Sequence, residues 1–273
     1  MLKETDPSRS RAGAGVYTAE ELAPVAGAIF AARLISDVEA ISLADQERSS
    51  DIPGYRSVIF YDPSQVQAAL GRRVFVAASE PETVDYAHRT TAEFLAAKWL
   101  ADLVRAGLPL GRLMALIGVD GVPAPELRGL HAWLPVHLSE HAEQLIDADP
   151  YGVLTYGDAS TMSKTVCAYL LKALARLSQK NPWFRSGAWQ SPSIGALARE
   201  DMEEEFRAIL NSPDAGFGIR SLVVDALATG KPLPSMIGDL AAVLVREASP
   251  YAERSHALTA LLCRQGGDRR CLQ

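Results

Sequence analysis

A strand-period stretch runs directly into the best-delimited helix signal in the chain, and this junction constrains the fold more than any other feature. Val74, Val76, Val84, Tyr86 and His88 fall on alternating positions, the period of a β-strand, and Ser79-Glu80-Pro81-Glu82 between them is turn material. The helix that follows opens with Thr90-x-x-Glu93, a capping-box pattern, and stops at Gly107 with Pro109 just beyond. On a helical wheel Lys98, Asp102 and Arg105 form a narrow polar stripe. Leu95, Ala96, Ala97, Trp99, Leu100, Leu103 and Val104 cover most of the remainder. A helix that is apolar round more than half its circumference is expected to be buried between two layers.

Before this junction the chain reads as helix, loop, helix, hairpin. Residues 1–15 are charged and then Gly- and Ala-rich, as in a disordered linker. Thr18-x-x-Glu21 caps a first helix running to about Asp37, with Leu22, Val25, Ala26, Ile29, Phe30 and Leu34 on one broad apolar face. Residues 38–61 mix Val38, Ile41 and Leu43 with a polar loop, and Asp62-Pro63 starts a second helix that ends near Gly71. A helix joined to a two-stranded wing suggests a winged-helix-like unit over residues 16–107. Its wing carries Glu80, Glu82 and Asp85, which argues against reading DNA phosphates, as does the formal net charge of −6.

Beyond Leu108 only helix signals appear. Arg128, Arg220 and Arg254 each precede an apolar helix face, and Lys164 opens a looser copy. Arg220 and Arg254 lie 34 residues apart and Arg128 and Lys164 lie 36 apart, and these spacings, broken by prolines such as Pro150, Pro182, Pro213 and Pro250, suit paired-helix repeats. The expected fold class is therefore mainly α, a winged-helix-like unit with a small β-hairpin followed by a HEAT-like α-solenoid over 108–265. Residues 266–273 are expected to be a disordered tail. The segment from Asn181 to Pro192 interrupts the period. It holds Trp183, Phe184 and Trp189, which are expected to be packed away from water. No apolar run approaches a membrane span, and Cys167, Cys263 and Cys271 are too few and scattered for a disulfide framework, so a reducing cytoplasm is the default setting.

The motifs that would carry chemistry each have a structural counterpart. His137-x-x-Glu140-His141 matches a zinc-peptidase pattern, which puts both imidazoles on one helix face with Glu140 placed to activate water. A helix break after Pro135, with a new helix capped by Ser139, would instead separate the two histidines. Ser163-Lys164-Thr165 lacks the glycines of a phosphate loop, and no such loop occurs in the chain. The stretch from Asp147 to Asp158 contains Asp149, Tyr151, Tyr156 and Asp158. It is either a cation or protein-binding loop, together with Trp183 and Trp189, or a pair of Asp-capped turns with packed tyrosines.

The segments Arg72-Arg73-Val74-Phe75 and Ala87-His88-Arg89-Thr90-Thr91-Ala92-Glu93-Phe94-Leu95-Ala96-Ala97-Lys98-Trp99-Leu100 resemble the end of the nucleotide-switch module in bacterial NACHT-type STAND NTPases. The resemblance covers about residues 18–135 and extends more loosely into the repeats. The Walker A loop and the acidic residue that completes the ATP site in that family are absent from this sequence. The resemblance therefore implies a non-catalytic regulatory and sensor fragment that needs no cofactor of its own, ATP and magnesium belonging to a parent NTPase in antiviral defence or signalling. Its implied partners are that NTPase core, upstream or on a separate chain, and a protein trigger bound by the solenoid; the charge and hydropathy of the chain argue separately against nucleic acid and membrane partners. His88, Arg89, Thr90 and Glu93 are the implied nucleotide-sensing or junction residues, and Phe94, Leu95, Trp99 and Leu103 the junction core. The structural reading of His88, as a hairpin-end residue bonded to the helix start, is the favoured one. A zinc hydrolase on His137, Glu140 and His141 and a free-standing helical-repeat adaptor are the alternatives.

Overall fold

The computed structural model describes residues 17–43, 51–58, 61–185, 192–247 and 249–265. The expected linker 1–15, the tail 266–273 and Trp189 lie outside the described residues. The described chain is mainly helical with a small antiparallel sheet, and it divides into two compact units, Met1–Leu138 and Ser139–Gln273. The first unit thus runs well past Gly107, where the wheel pattern placed the boundary.

In the first unit α1 (Ala19–Ile35) is followed by β1 (Ile41–Ser42), α2 (Tyr55–Val58), α3 (Pro63–Leu70), β2 (Phe75–Ala77), β3 (Thr83–Tyr86) and α4 (Arg89–Arg105). The Thr18–Glu21 capping box forms as the spacing predicts, with the Thr18 N–H donating to Glu21 Oε2 at 2.7 Å and the Glu21 N–H to Thr18 Oγ1 at 3.2 Å. Asp62 caps α3 through the Ser64 N–H, with Pro63 in the first turn. The hairpin pairs Phe75 with Tyr86 and Ala77 with Val84, and turns at Glu82 with φ +53°. The sheet has a third strand that the alternation did not reveal. β1 pairs Ile41 with Val84, so the order is β1–β3–β2.

α1 is buried nearly all round rather than on one face: Leu22 and every residue from Val25 to Ala31 are buried. Phe30 stacks on Phe75 of the sheet at 4.5 Å, and Arg33 pairs with Asp85 at 3.1 Å while lying over the Tyr86 ring. α1 packs along α4 with Gly27 at the crossing, and both helices bury small residues, Ala26, Ala28 and Ala31 on α1 and Ala92, Ala96, Ala97 and Ala101 on α4. Small side chains let the two axes come close. A Cβ on Gly27 would stand 2.5 Å from the Leu95 carbonyl oxygen and 2.8 Å from Trp99 Cβ.

α4 ends where expected. Gly107 takes φ +113°, a conformation cheap only for glycine, and the Leu108 N–H returns to the Leu103 carbonyl while the Gly107 N–H reaches that of Val104. α5 (Leu110–Ile117), the two-residue strands β4 (Gly118–Val119) and β5 (Val122–Pro123), and α6 (Arg128–His137) then return the chain to the same unit, α6 lying against α4. The β4–β5 hairpin contradicts the expectation of helices alone after Leu108. Its turn, Asp120 at φ +52° and Gly121 at +80°, is the two-residue hairpin turn that an Asp-Gly pair favours.

The second unit contains α7 (Ala142–Ala148), α8 (Pro150–Tyr156), α9 (Lys164–Lys180), α10 (Glu203–Asn211), α11 (Phe217–Thr229), α12 (Ile237–Val245) and α13 (Tyr251–Gln265). α9 packs on α7, α8 and α11; α11 packs on α10 and α13; α12 packs on α10 and α13. Each basic residue named at a helix start in this unit ties two helices together. Arg220 Nε donates to Glu253 Oε1 at 2.8 Å, Lys164 stands 3.8 Å from Glu205, and Arg254 donates to the Leu244 carbonyl at 3.0 Å. Arg207 pairs with Asp239 at 3.2 Å, linking α10 to α12. Among the described residues no helix is long and apolar enough to cross a membrane.

Candidate functional site

The corner where β3 passes into α4 gathers the residues singled out by the sequence. His88 is the N-cap, with φ −142°, and its side chain makes no capping bond. This corrects both the capping box at Thr90 and the reading of His88 as bonded to the helix start: α4 begins at Arg89, and Thr90 lies exposed in its first turn. Glu93 is spent elsewhere. Only 7% exposed, it accepts from Arg89 Nε at 2.9 Å, and its carboxylate lies against Gly129, where a Cβ would come within 2.3 Å of Oε1. Arg89 also donates to the Glu126 carbonyl. Arg89 and Glu93 therefore clamp the start of α4 to the turn Pro125–Leu127 and to the first turn of α6. A carboxylate is well placed at that helix N-terminus.

The core residues divide between two faces. Leu95 and Trp99 meet α1 beside Gly27, and Trp99 Nε1 donates to the Tyr61 hydroxyl at 3.1 Å. Phe94 faces α6, edge-on to Trp133 at 5.2 Å and to His137 at 4.8 Å. Leu103 is half-buried, and Lys98, Asp102 and Arg105 are exposed, as the wheel predicts. α4 is accordingly the spine of one unit, with α1 and α6 on its two sides, and not a boundary between two.

A cavity of about 430 Å³ opens beside the sheet, lined among others by Glu39, Val76, Glu80, Asp85 and Tyr86. Its acidic rim does not suit a phosphate.

The zinc pattern does not keep its one-helix geometry. α6 ends at His137, Leu138 leaves the helical region at φ −120° and ψ 62°, Ser139–His141 is a single 3₁₀ turn, and α7 starts at Ala142. His137 is half-buried on Phe94; burial, reinforced by the Lys98 charge, holds its imidazole below the ordinary value, while a hydrogen bond with the Phe94 backbone works the other way. Glu203, Glu204 and Glu205 form the acidic first turn of α10. Among the described residues no group of three or more His, Cys, Asp or Glu side chains is arranged to hold a metal ion.

The loop around Asp149 resolves into capped turns. Asp149 accepts from the Gly152 N–H at 2.9 Å at the start of α8, and Asp158 accepts from the Ser160 N–H at 2.9 Å. Tyr151 packs edge-on to Phe184 at 5.4 Å, whereas Tyr156 is exposed. Trp183, expected to be packed, is 72% exposed, its N–H held by Asn181 Oδ1 at 3.1 Å in a short turn. The buried anchor of that turn is a charge. Arg185 is 1% exposed and reaches Asp225 at 2.5 Å and Ser221 Oγ at 3.3 Å, and His256 Nδ1 meets the other Asp225 oxygen at 2.7 Å. No sequence signal marked this cluster, since its members come from a loop, α11 and α13. Arg199 similarly donates to the Ala159 and Met162 carbonyls at 3.1 and 2.6 Å and pairs with Asp201 at 2.6 Å. Beside it, burial pushes the Cys167 thiol up to about 11, against the partly offsetting Arg199 charge.

Comparison with known proteins gives no counterpart: no protein-family model, no curated protein and no solved structure matches this chain.

Proposed function

We propose that the chain is a non-catalytic regulatory and protein-interaction module of the kind that follows the nucleotide switch in NACHT-type STAND NTPases. The observation that carries this reading is the topology of residues 19–105. Helix, strand, two helices, then a hairpin whose second strand lies between the other two is the order of a winged-helix unit, and it leads directly into a long helix. His88 stands exposed at that exit, its side chain uncommitted to the helix end, where a partner's phosphate or carboxylate would find an imidazole and a helix N-terminus together. The stacked contacts of α9, α11 and α13, with α10 on α12, favour a HEAT-like scaffold, tied by ion pairs from α10 to α12 and from α11 to α13. Such a scaffold would act by docking in two alternative ways on an ATP-binding core and a protein trigger.

The catalytic alternative makes an opposite forecast. The purified 273-residue chain should hydrolyse neither ATP nor GTP above buffer background, and should contain no stoichiometric zinc by elemental analysis. Turnover that purifies with the chain, or zinc lost on His137→Ala, would defeat the proposal.

A further inference from the structure

The three-stranded sheet of the first unit is closed on one side and open on the other. β1 is covered by the chain around Asp51–Gly54. The Glu39 N–H donates to the Asp51 carbonyl and the Ser42 N–H to the Pro53 carbonyl, both at 2.9 Å, and Ser42 bridges to Gly54. β2 is the other edge, since β3 lies between the two. Bonds at its two ends fix which of its groups face outward. The Ala87 N–H donates to the Val74 carbonyl at 2.8 Å and the Ala78 N–H to the Thr83 carbonyl at 3.0 Å, so Val74–Ala87, Val76–Asp85 and Ala78–Thr83 are the hydrogen-bonded pairs of the ladder. The N–H and C=O of Ala77, and the C=O of Phe75, therefore point away from β3, and among the described residues nothing bonds to them. Val76 and Ala77 are exposed, Val76 by 47%. Natural edge strands are commonly blunted by lysine, proline or a bulge, and Phe75-Val76-Ala77 has none of these. The cavity of about 430 Å³ lies at this edge, lined by Val76, Ala77 and Ala78 together with Glu39 and Glu80, and by no lysine, arginine or histidine. Asp85 in its wall is already paired with Arg33. The exposed carboxylates of Glu39 and Glu80 have no ion-pair or hydrogen-bond partner among the described residues.

We infer that β2 receives an extended basic segment of a partner protein as a fourth strand, with a lysine or arginine side chain of that segment in the cavity beside Glu39 and Glu80. The open backbone groups of Phe75 and Ala77 set the register and supply main-chain bonds, and the two free carboxylates select for positive charge. Phe75 faces Phe30 of α1, so Val76, next along the strand, turns to the opposite side and lines the cavity. Side chains two apart share a face in an added strand as well, so basic residues at alternate positions all turn to the cavity side. A nucleic acid or an acidic peptide meets uncompensated carboxylates instead. The inference rests on the sheet of the first unit and does not depend on the nucleotide-switch reading.

Fluorescence anisotropy of a fluorescein-labelled octapeptide of alternating valine and lysine, titrated with the 273-residue chain to about 1 mM, tests it. The peptide should bind saturably, and more weakly as salt is raised. Two comparison peptides should bind at least about ten-fold more weakly: alternating valine and glutamate, and the valine–lysine sequence methylated on every backbone nitrogen, which keeps the charge and removes the strand donors. Glu39→Gln/Glu80→Gln, at exposed positions that leave the fold intact, should weaken binding at least about five-fold and remove most of its salt dependence. Ala77→Pro deletes the outward N–H without touching the β2–β3 ladder and should weaken binding at least about ten-fold. If Ala77→Pro fails to fold, as read by far-UV circular dichroism, the methylated peptide and the glutamine variant still decide. No saturable binding by about 1 mM, equal affinity for the methylated peptide, or wild-type affinity in the glutamine variant or in a folded Ala77→Pro would overturn the inference.

Discussion

A single methyl group added at Gly27 tests whether α1 and α4 are held at the separation described. Replacing glycine by alanine inside a helix ordinarily stabilises it by up to about 1 kcal/mol. At Gly27 the new Cβ meets the Leu95 carbonyl oxygen at 2.5 Å and Trp99 Cβ at 2.8 Å. The first obstacle is backbone, so relief requires the helices to part rather than a side chain to turn. Overpacking of this kind costs roughly 1–3 kcal/mol, and a radial gap of about 0.5–1 Å forfeits a quarter to a half of the dispersion attraction at the surrounding alanines. The two losses together outweigh the propensity gain, leaving a net destabilisation of about 2 kcal/mol. For a unit of this size that corresponds to a fall of about 6–8 °C in Tm. Gly111→Ala is the control, because Gly111 is helical in α5 and a Cβ there meets nothing within 4 Å. It should leave Tm unchanged or raise it by about 2 °C. Thermal melts by far-UV circular dichroism, supported by urea titration, read both variants. If Gly27→Ala melts at or above the wild type, the close crossing of α1 and α4 is wrong.

Three further outcomes are expected. Arg220→Ala strands the fully buried Glu253 carboxylate and should cost about 3–5 kcal/mol in urea unfolding, whereas Arg220→Met/Glu253→Leu should recover most of it; equal losses in both would mean that the pair does not bind α11 to α13. Cys167, buried and with its thiol raised to about 11, should resist iodoacetamide at pH 8 in the folded protein and react only in denaturant, as peptide mass spectrometry would show; rapid native alkylation would contradict its placement. The folded-state pKa of His137 is depressed below its ordinary 6.5, so as pH falls the unfolded chain takes up this proton first. Its contribution to stability is therefore complete above that value and declines as pH drops through it towards the folded-state value, and His137→Gln should flatten the pH dependence of the urea midpoint on the acid side of 6.5.

Local rules located the elements whose signals are local. The Thr18–Glu21 capping box, Asp62 before Pro63, the hairpin and the stop at Gly107 all appear where the sequence put them. Asp120-Gly121 between two valines was also readable, but its strands are only two residues long and lay among helical patterns. β1 was not readable, because a two-residue strand is defined by its partner Val84 and not by its own alternation. Thr90-x-x-Glu93 had the right spacing for a cap, yet a more favourable use of Glu93, clamped by Arg89 against the start of α6, moved the helix start to Arg89. The boundary after Gly107 failed for the same reason: α6 folds back on α4, a contact that no window along the chain contains. In the second unit the basic residues at helix starts were visible, but their carboxylate partners lie on other helices. Arg185 shows the limit most clearly. Composition suggested that Trp183 would anchor its turn, whereas the structure buries the arginine, whose partners Ser221 and Asp225 lie in α11.

The reading of the chain as a switch-linked module is tested most directly by the DNA immediately upstream of the Met1 codon. A reading frame there, in frame or adjacent, that encodes a Gly-x-x-x-x-Gly-Lys-Ser/Thr loop followed by a Walker B acid is the predicted result. A promoter at that position, with no phosphate-loop protein encoded beside it, would contradict the proposal and leave a free-standing helical adaptor.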